Sequence, residues 1–262
     1  MNRFIFILIV IISIISCNQK KVDYKSVNSD TIFQYSVFAG LTNKIYDGNL
    51  SIGKLKKYGD TGLGTFNGLN GEMIIVEGEI YQLLENGKIR IPDDLETTPF
   101  AIISFFEEDQ IIQLSKDFNY EKLKALIQEN LPSKNIPYTF QIKGKFKYLQ
   151  CGGAPIQDKP YQKTLSEALV DRPVFEADNI KGTMVGFWFP EYIGKINVPG
   201  FHLHFISEDK TFAGHVIDFT SSNLKIQIDY SNGINVLIPD TKEFLKSDFD
   251  LSQGYNSPFN SK

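Results

Sequence analysis

The three histidines, His202, His204 and His215, are the only ones in the chain, and they fall within one stretch. It reads Gly200-Phe201-His202-Leu203-His204-Phe205-Ile206, then Ser207-Glu208-Asp209-Lys210-Thr211-Phe212-Ala213, then Gly214-His215-Val216-Ile217-Asp218-Phe219. Side chains alternate along a strand, so His202 and His204 share one face while Phe201, Leu203 and Phe205 take the other. Glu208 to Thr211 supplies polar turn residues. A hairpin centred between Asp209 and Lys210 puts His204 opposite His215, where cross-strand Cβ atoms lie about 4.5 to 5.5 Å apart. A slip of one residue would send His215 to the opposite face, so the expectation commits to one register.

Three neutral imidazoles converging in this way form the ligand set of an open zinc site, in which the remaining position takes water or substrate. Copper, nickel or iron would suit the same nitrogens. The alternative is three unconnected histidines on a polar sheet face. Glu208, Asp209 and Asp218 are expected to face solvent or to stand behind the ligands, by parity and turn placement.

Short apolar runs separated by turn residues continue through the chain. Residues 32–38 read as a strand and 39–46 as a turn or short helix. Glu72-Met73-Ile74-Ile75-Val76 and Glu79-Ile80-Tyr81-Gln82-Leu83 read as a hairpin, and 100–106 as a buried strand. Residues 119–129 are the best helix candidate, because Leu123, Leu126 and Ile127 keep helical spacing between an Asn119 cap and Pro132. Residues 138–149 alternate like a strand, with a turn near Lys143-Gly144. Residues 182–189, 200–206, 214–219, 224–230 and 234–237 read as further strands. The expected fold is α+β: mixed and β-rich, with few helices and two sheet-containing halves, 30–150 and 151–262, the second carrying the metal hairpin. With a formal net charge of −4, the chain offers no broad basic surface, so nucleic acid is not an expected partner.

Asn2-Arg3 precedes an apolar run from Phe4 to Ile15, the layout of a secretory signal and too short to span a bilayer comfortably. The run ends Ile14-Ile15-Ser16-Cys17, which resembles a bacterial lipobox. Residues 1–17 therefore read as a lipoprotein signal peptide with lipidated Cys17, and 18–29 as a polar tether. The expected location is the cell envelope, with the membrane reached through the lipid anchor only. Lipidation would leave Cys151 without a disulfide partner, and it is read as structural.

The histidine segment resembles the metal-binding signature of bacterial α-acetolactate decarboxylases. The resemblance extends to Gly59-Asp60-Thr61-Gly62-Leu63-Gly64-Thr65-Phe66-Asn67, to Leu69-Asn70-Gly71-Glu72-Met73, to Thr98-Pro99-Phe100-Ala101, and to Gly182-Thr183-Met184-Val185-Gly186-Phe187. It covers roughly residues 30–245. It implies zinc on His202, His204 and His215, Glu72 as proton relay, Thr65 as a substrate-side hydroxyl, and a possible homodimer. It also implies conversion of a small 2-hydroxy-3-keto acid, 2-acetolactate, to acetoin and carbon dioxide. Two departures from the family pattern stand out. Gly152 falls where the family's arginine is expected, leaving Lys143, Lys145 and Lys147 as the nearest cations in sequence, and no glutamate follows Glu243. The alternative function is a non-catalytic or altered-specificity zinc-binding envelope lipoprotein of the same fold.

Overall fold

The computed structural model describes residues 30–252. Residues 1–17, expected to be a signal peptide ending at Cys17, and 18–29, expected to be a tether, lie outside the described residues. The described chain forms β1 (Thr31–Tyr35), β2 (Leu50–Ser51), β3 (Thr61–Thr65), β4 (Glu72–Val76), β5 (Glu79–Leu83), β6 (Ile89–Arg90), β7 (Thr97–Thr98) and β8 (Ala101–Ser104). Then come β9 (Gln110–Leu114), β10 (Phe118–Asn119), β11 (Tyr138–Gly152), β12 (Val174–Phe189), β13 (Gly200–Ser207), β14 (Ala213–Tyr230) and β15 (Gly233–Leu237). Helices are few and short, as expected of a β-rich α+β fold.

One sheet has the order β15-β1-β8-β3-β4-β5-β6, and a second runs β10-β14-β11-β12-β13 with β9 also paired to β14. Gln150 lies inside β11, and β15 pairs in parallel with β1, so sheet membership does not follow a division of the chain near Gln150. The β4–β5 hairpin closes at Val76 and Glu79 through Glu77 and Gly78, both at positive φ, as a two-residue hairpin turn requires.

The sheets stack with β4 against β12, β13 and β14. Between them Ile74, Val76, Leu83, Val185, Ile206 and Ala213 form one buried cluster. The far face of the second sheet carries Phe140, Phe201, Leu203 and Phe205, and is covered by the helix Tyr120–Asn130 through Leu123 and Ile127. The Asn119 side chain accepts a hydrogen bond from the Lys122 amide at 3.0 Å and caps that helix. Phe201, Leu203 and Phe205 therefore anchor β13 on one side and leave its histidines facing the other sheet.

Two local expectations change. Lys143 and Gly144 make no turn, because they pair with Thr183 and Gly182 on one side and with Lys225 and Leu224 on the other. Residues 214–219 and 224–230 belong to one long strand, β14, rather than two. Its pairing with β11 slips at Lys145/Phe146, Phe146/Tyr148 and Gln150/Cys151, where irregularities bend a ladder too long to stay regular.

Candidate metal centre

The hairpin that aims the histidines is fixed by its turn. The Ser207 amide donates to Phe212 O at 2.8 Å, and the Asp209 carboxylate accepts from Ser207 Oγ at 2.7 Å and Thr211 Oγ1 at 2.8 Å. Those bonds hold the exposed Asp209 carboxyl below its usual range. The register follows: His204 pairs with His215, Phe205 with Gly214, and Ile206 with Ala213. This is the hairpin centred between Asp209 and Lys210. Glu208, Asp209 and Asp218 are exposed, as parity requires.

The three imidazoles meet. Ring centroids are 5.1 Å apart for His202 and His204, 5.0 Å for His202 and His215, and 5.4 Å for His204 and His215. One ring nitrogen from each lies within 4.8 Å of the others, the only such group among the described residues. All three side chains are buried. Burial holds His202 and His215 well below the ordinary imidazole range, with the neighbouring imidazoles adding to it, and brings His204 down to about 4. The rings are thus neutral near pH 7, the state in which imidazole offers a lone pair to a metal.

The tautomer of His204 is set by the facing sheet. Its Nδ1 lies 2.8 Å from Met73 O, an acceptor, so Nδ1 carries the hydrogen and Nε2 presents its lone pair. That Nε2 is buried without a hydrogen bond, with Glu72 Oε2 3.5 Å away. A buried acceptor left in this condition is costly unless something binds it. The donor set therefore fits a divalent metal of borderline softness, which prefers imidazole nitrogen.

Glu72 begins β4 and pairs with Thr65, the last residue of β3. Both are buried and line the pocket that reaches His202 and His204. Burial pushes the Glu72 carboxyl up to about 8, against the opposing pull of the Arg172 guanidinium. Thr65 Oγ1 donates to Gly71 O at 2.7 Å and so ties down the connection that delivers Glu72. The pocket encloses about 460 Å³ counting its mouth, with Leu69, Phe100 and Leu169 among its apolar walls.

A cation from elsewhere in the chain stands beside Gly152. Arg172 carries a side chain whose Cδ and Nε would both lie 3.2 Å from a Cβ built on Gly152. The lysines closest in sequence are committed elsewhere: Lys143 Nζ is 3.0 Å from Glu77, Lys147 Nζ is 2.8 Å from Asp117, and Lys145 is exposed. Sequence reasoning missed Arg172 because it stands twenty positions from Gly152 in an irregular segment with no periodicity to place it. Glu243, the last glutamate, is exposed on the helix Lys242–Lys246. Cys151 is buried, and burial raises its thiol well above the ordinary range, in keeping with a structural residue.

The family profile described as alpha-acetolactate decarboxylase matches residues 32–251. An alpha-acetolactate decarboxylase of Methanosarcina mazei is 38% identical over 227 residues, covering 86% of this chain and 78% of the relative. One from Bacillus licheniformis is 35% identical over 239 residues, covering 90% and 94%. The crystal structure of alpha-acetolactate decarboxylase from Bacillus subtilis strain 168 superposes with a TM-score of 0.82 at 35% identity, covering 84% of this chain and 94% of that one. With the match running through both sheets and the histidine hairpin, the chain belongs to the alpha-acetolactate decarboxylase family, a family of carbon–carbon lyases.

Proposed function

We propose that this chain decarboxylates 2-acetolactate to acetoin at the pocket between its sheets, with zinc held by His202, His204 and His215. The observation that carries the reading is the juxtaposition of three buried neutral imidazoles with the buried Glu72 carboxyl, beside a pocket lined by His202, His204 and Glu72. When bound, zinc supplies Lewis-acid stabilisation of the oxygen charge that develops as the carboxylate leaves.

The remaining chemistry falls to the chain. The bond between the substrate's carboxylate and its hydroxyl-bearing carbon breaks, carbon dioxide departs, and the electron pair moves toward the neighbouring carbonyl to give an enediolate. That carbon must then receive a proton. Glu72, a buried carboxyl 3.5 Å from His204 Nε2, would hold that proton at its side-chain oxygens and deliver it. Thr65 lines the same pocket and fixes the turn before Glu72. Apolar walls of Leu69, Phe100 and Leu169 exclude water, which strengthens each polar contact inside and keeps the enediolate from stray protonation.

We further propose that the chain is exported and anchored through lipid on Cys17, supported by the apolar run that ends at Ser16-Cys17. The test of the enzymatic reading is incubation of the zinc-loaded protein with racemic 2-acetolactate. Acetoin and carbon dioxide should appear in equal amounts, and Glu72→Gln should slow their formation at least a hundredfold, of the order seen for general acid–base groups. No acetoin from the parent would refute the assignment and favour the non-catalytic alternative.

A further inference from the structure

Gly152 pairs with His215 across β11 and β14. Directly opposed residues of an antiparallel pair point to the same face, so a side chain at Gly152 would project on the side that carries the metal ligands. The space there is taken. The stem of Arg172 runs through it, with Cδ and Nε each 3.2 Å from where a Cβ would sit, and Ile217 Cδ1 closes the slot at 3.3 Å. The absence of a side chain at 152 is what lets the arginine lie down on the strand.

Arg172 itself is held at the base. Its amide donates to Leu169 O at 3.4 Å, and the Gly153 amide donates to the carbonyl of the next residue, Pro173, at 2.8 Å. Leu169 and Ala154, either side of this clasp, line the pocket. The guanidinium is partly buried, yet among the described residues it makes no hydrogen bond and no ion pair within 4.0 Å. It is close enough to Glu72 and to His215 for its charge to act on both. A partly desolvated guanidinium that no carboxylate of the described residues contacts, seated beside the strand that carries His215, has its fork left for an anion from outside the chain.

We propose that Arg172 binds the carboxylate of the substrate, its stem seated in the slot that Gly152 leaves open. The inference rests on the decarboxylase reading for the identity of the anion. A guanidinium fork grips a carboxylate through two parallel charge-assisted hydrogen bonds, which fixes the plane of the departing group as well as its place. On this reading Arg172 grips the substrate and coordinates no metal, so its loss should weaken anion recognition while leaving neutral ligands alone.

The test compares two probes on the zinc-loaded full chain, 2-hydroxy-2-methylpropanoate and the neutral 2-methylpropane-1,2-diol, by calorimetric titration. Arg172→Gln should weaken binding of the hydroxy acid by ten- to a hundredfold and change binding of the diol by less than twofold. Arg172→Lys should fall between, because a point charge restores attraction without the fork. Gly152→Ala should weaken the hydroxy acid although the arginine is still present, since its Cβ enters the slot. Unchanged diol binding also reports that each variant is folded. Equal loss of both probes, no loss of the hydroxy acid in Arg172→Gln, or no binding of the hydroxy acid by the parent overturns the proposal. A parent that binds the acid through Arg172 yet forms no acetoin from 2-acetolactate would overturn the decarboxylase reading instead.

Discussion

Gly214 immediately precedes His215, and alanine there should damage the metal centre without touching a ligand. A Cβ at Gly214 would lie 2.8 Å from Gly152 O and 2.9 Å from Cys151 Cβ, and the backbone has φ +145, a conformation that side-chain-bearing residues rarely adopt. Ordinary contact begins near 3.4 Å, so β14 would have to open from β11 by about 0.6 Å, whereas ligand distances in a metal site tolerate only about 0.2 Å. Overpacking of this kind costs about 1 to 3 kcal/mol, and the backbone conformation a similar amount. If half of the smaller total of about 2 kcal/mol reaches the site, zinc affinity falls about fivefold, and if the whole does, about thirtyfold. Competition with a chromogenic chelator reads this directly. Gly78→Ala is the control, because φ is +81 there and nothing lies within 4 Å, so it carries backbone strain remote from the hairpin. A folded Gly214→Ala protein that binds zinc within twofold of the parent would refute the claim that strand spacing positions His215.

Other perturbations follow from the same structure. In the metal-free protein Glu72 keeps its proton up to about pH 8 when folded and ionises near 4.5 when unfolded. The native state therefore binds more protons between those values, and its stability falls as pH rises through them. Glu72→Gln removes that dependence, so the melting temperature of the variant minus that of the parent should be larger at pH 8 than at pH 5, and equal differences would contradict the buried carboxyl. Lys143→Gln and Lys147→Gln should leave acetolactate turnover within twofold, because both lysines pair with exposed carboxylates outside the pocket; a tenfold loss would bring one of them into the site. Cys17→Ser should abolish lipid labelling and release the protein from membranes, and undiminished labelling would refute the anchor.

The histidine centre was legible because strand periodicity is two and the polar turn fixed the register. Phe201, Leu203 and Phe205 had to be buried, which left one face for His202 and His204, and the count across Asp209 and Lys210 chose His215 as partner. The β4–β5 hairpin and the Asn119-capped helix were legible for similarly local reasons. What sequence could not show was non-local. The parallel pairing of β15 with β1 joins residues some two hundred positions apart, and no local pattern encodes it. Lys143-Gly144 looked like a turn because glycine often marks one, but a Cβ at Gly144 would come within 2.3 Å of Asn223 O, so the glycine serves close strand approach instead. Gly152 read as a lost arginine because the family resemblance puts arginine at that position. Its meaning appears only when Arg172 is brought across it.

The central claim, that three histidines hold one catalytic zinc, is tested most directly by metal content and turnover measured together on the same samples. The parent and single alanine variants at His202, His204 and His215 would each be loaded with zinc, desalted, and assayed for bound metal and for acetoin formed from 2-acetolactate. The parent should retain about one zinc per chain, lose activity with a chelator and regain it with zinc, while each variant loses metal and turnover in parallel. Full zinc retention in any one variant would remove that histidine from the centre, and full turnover by metal-depleted parent would contradict the account.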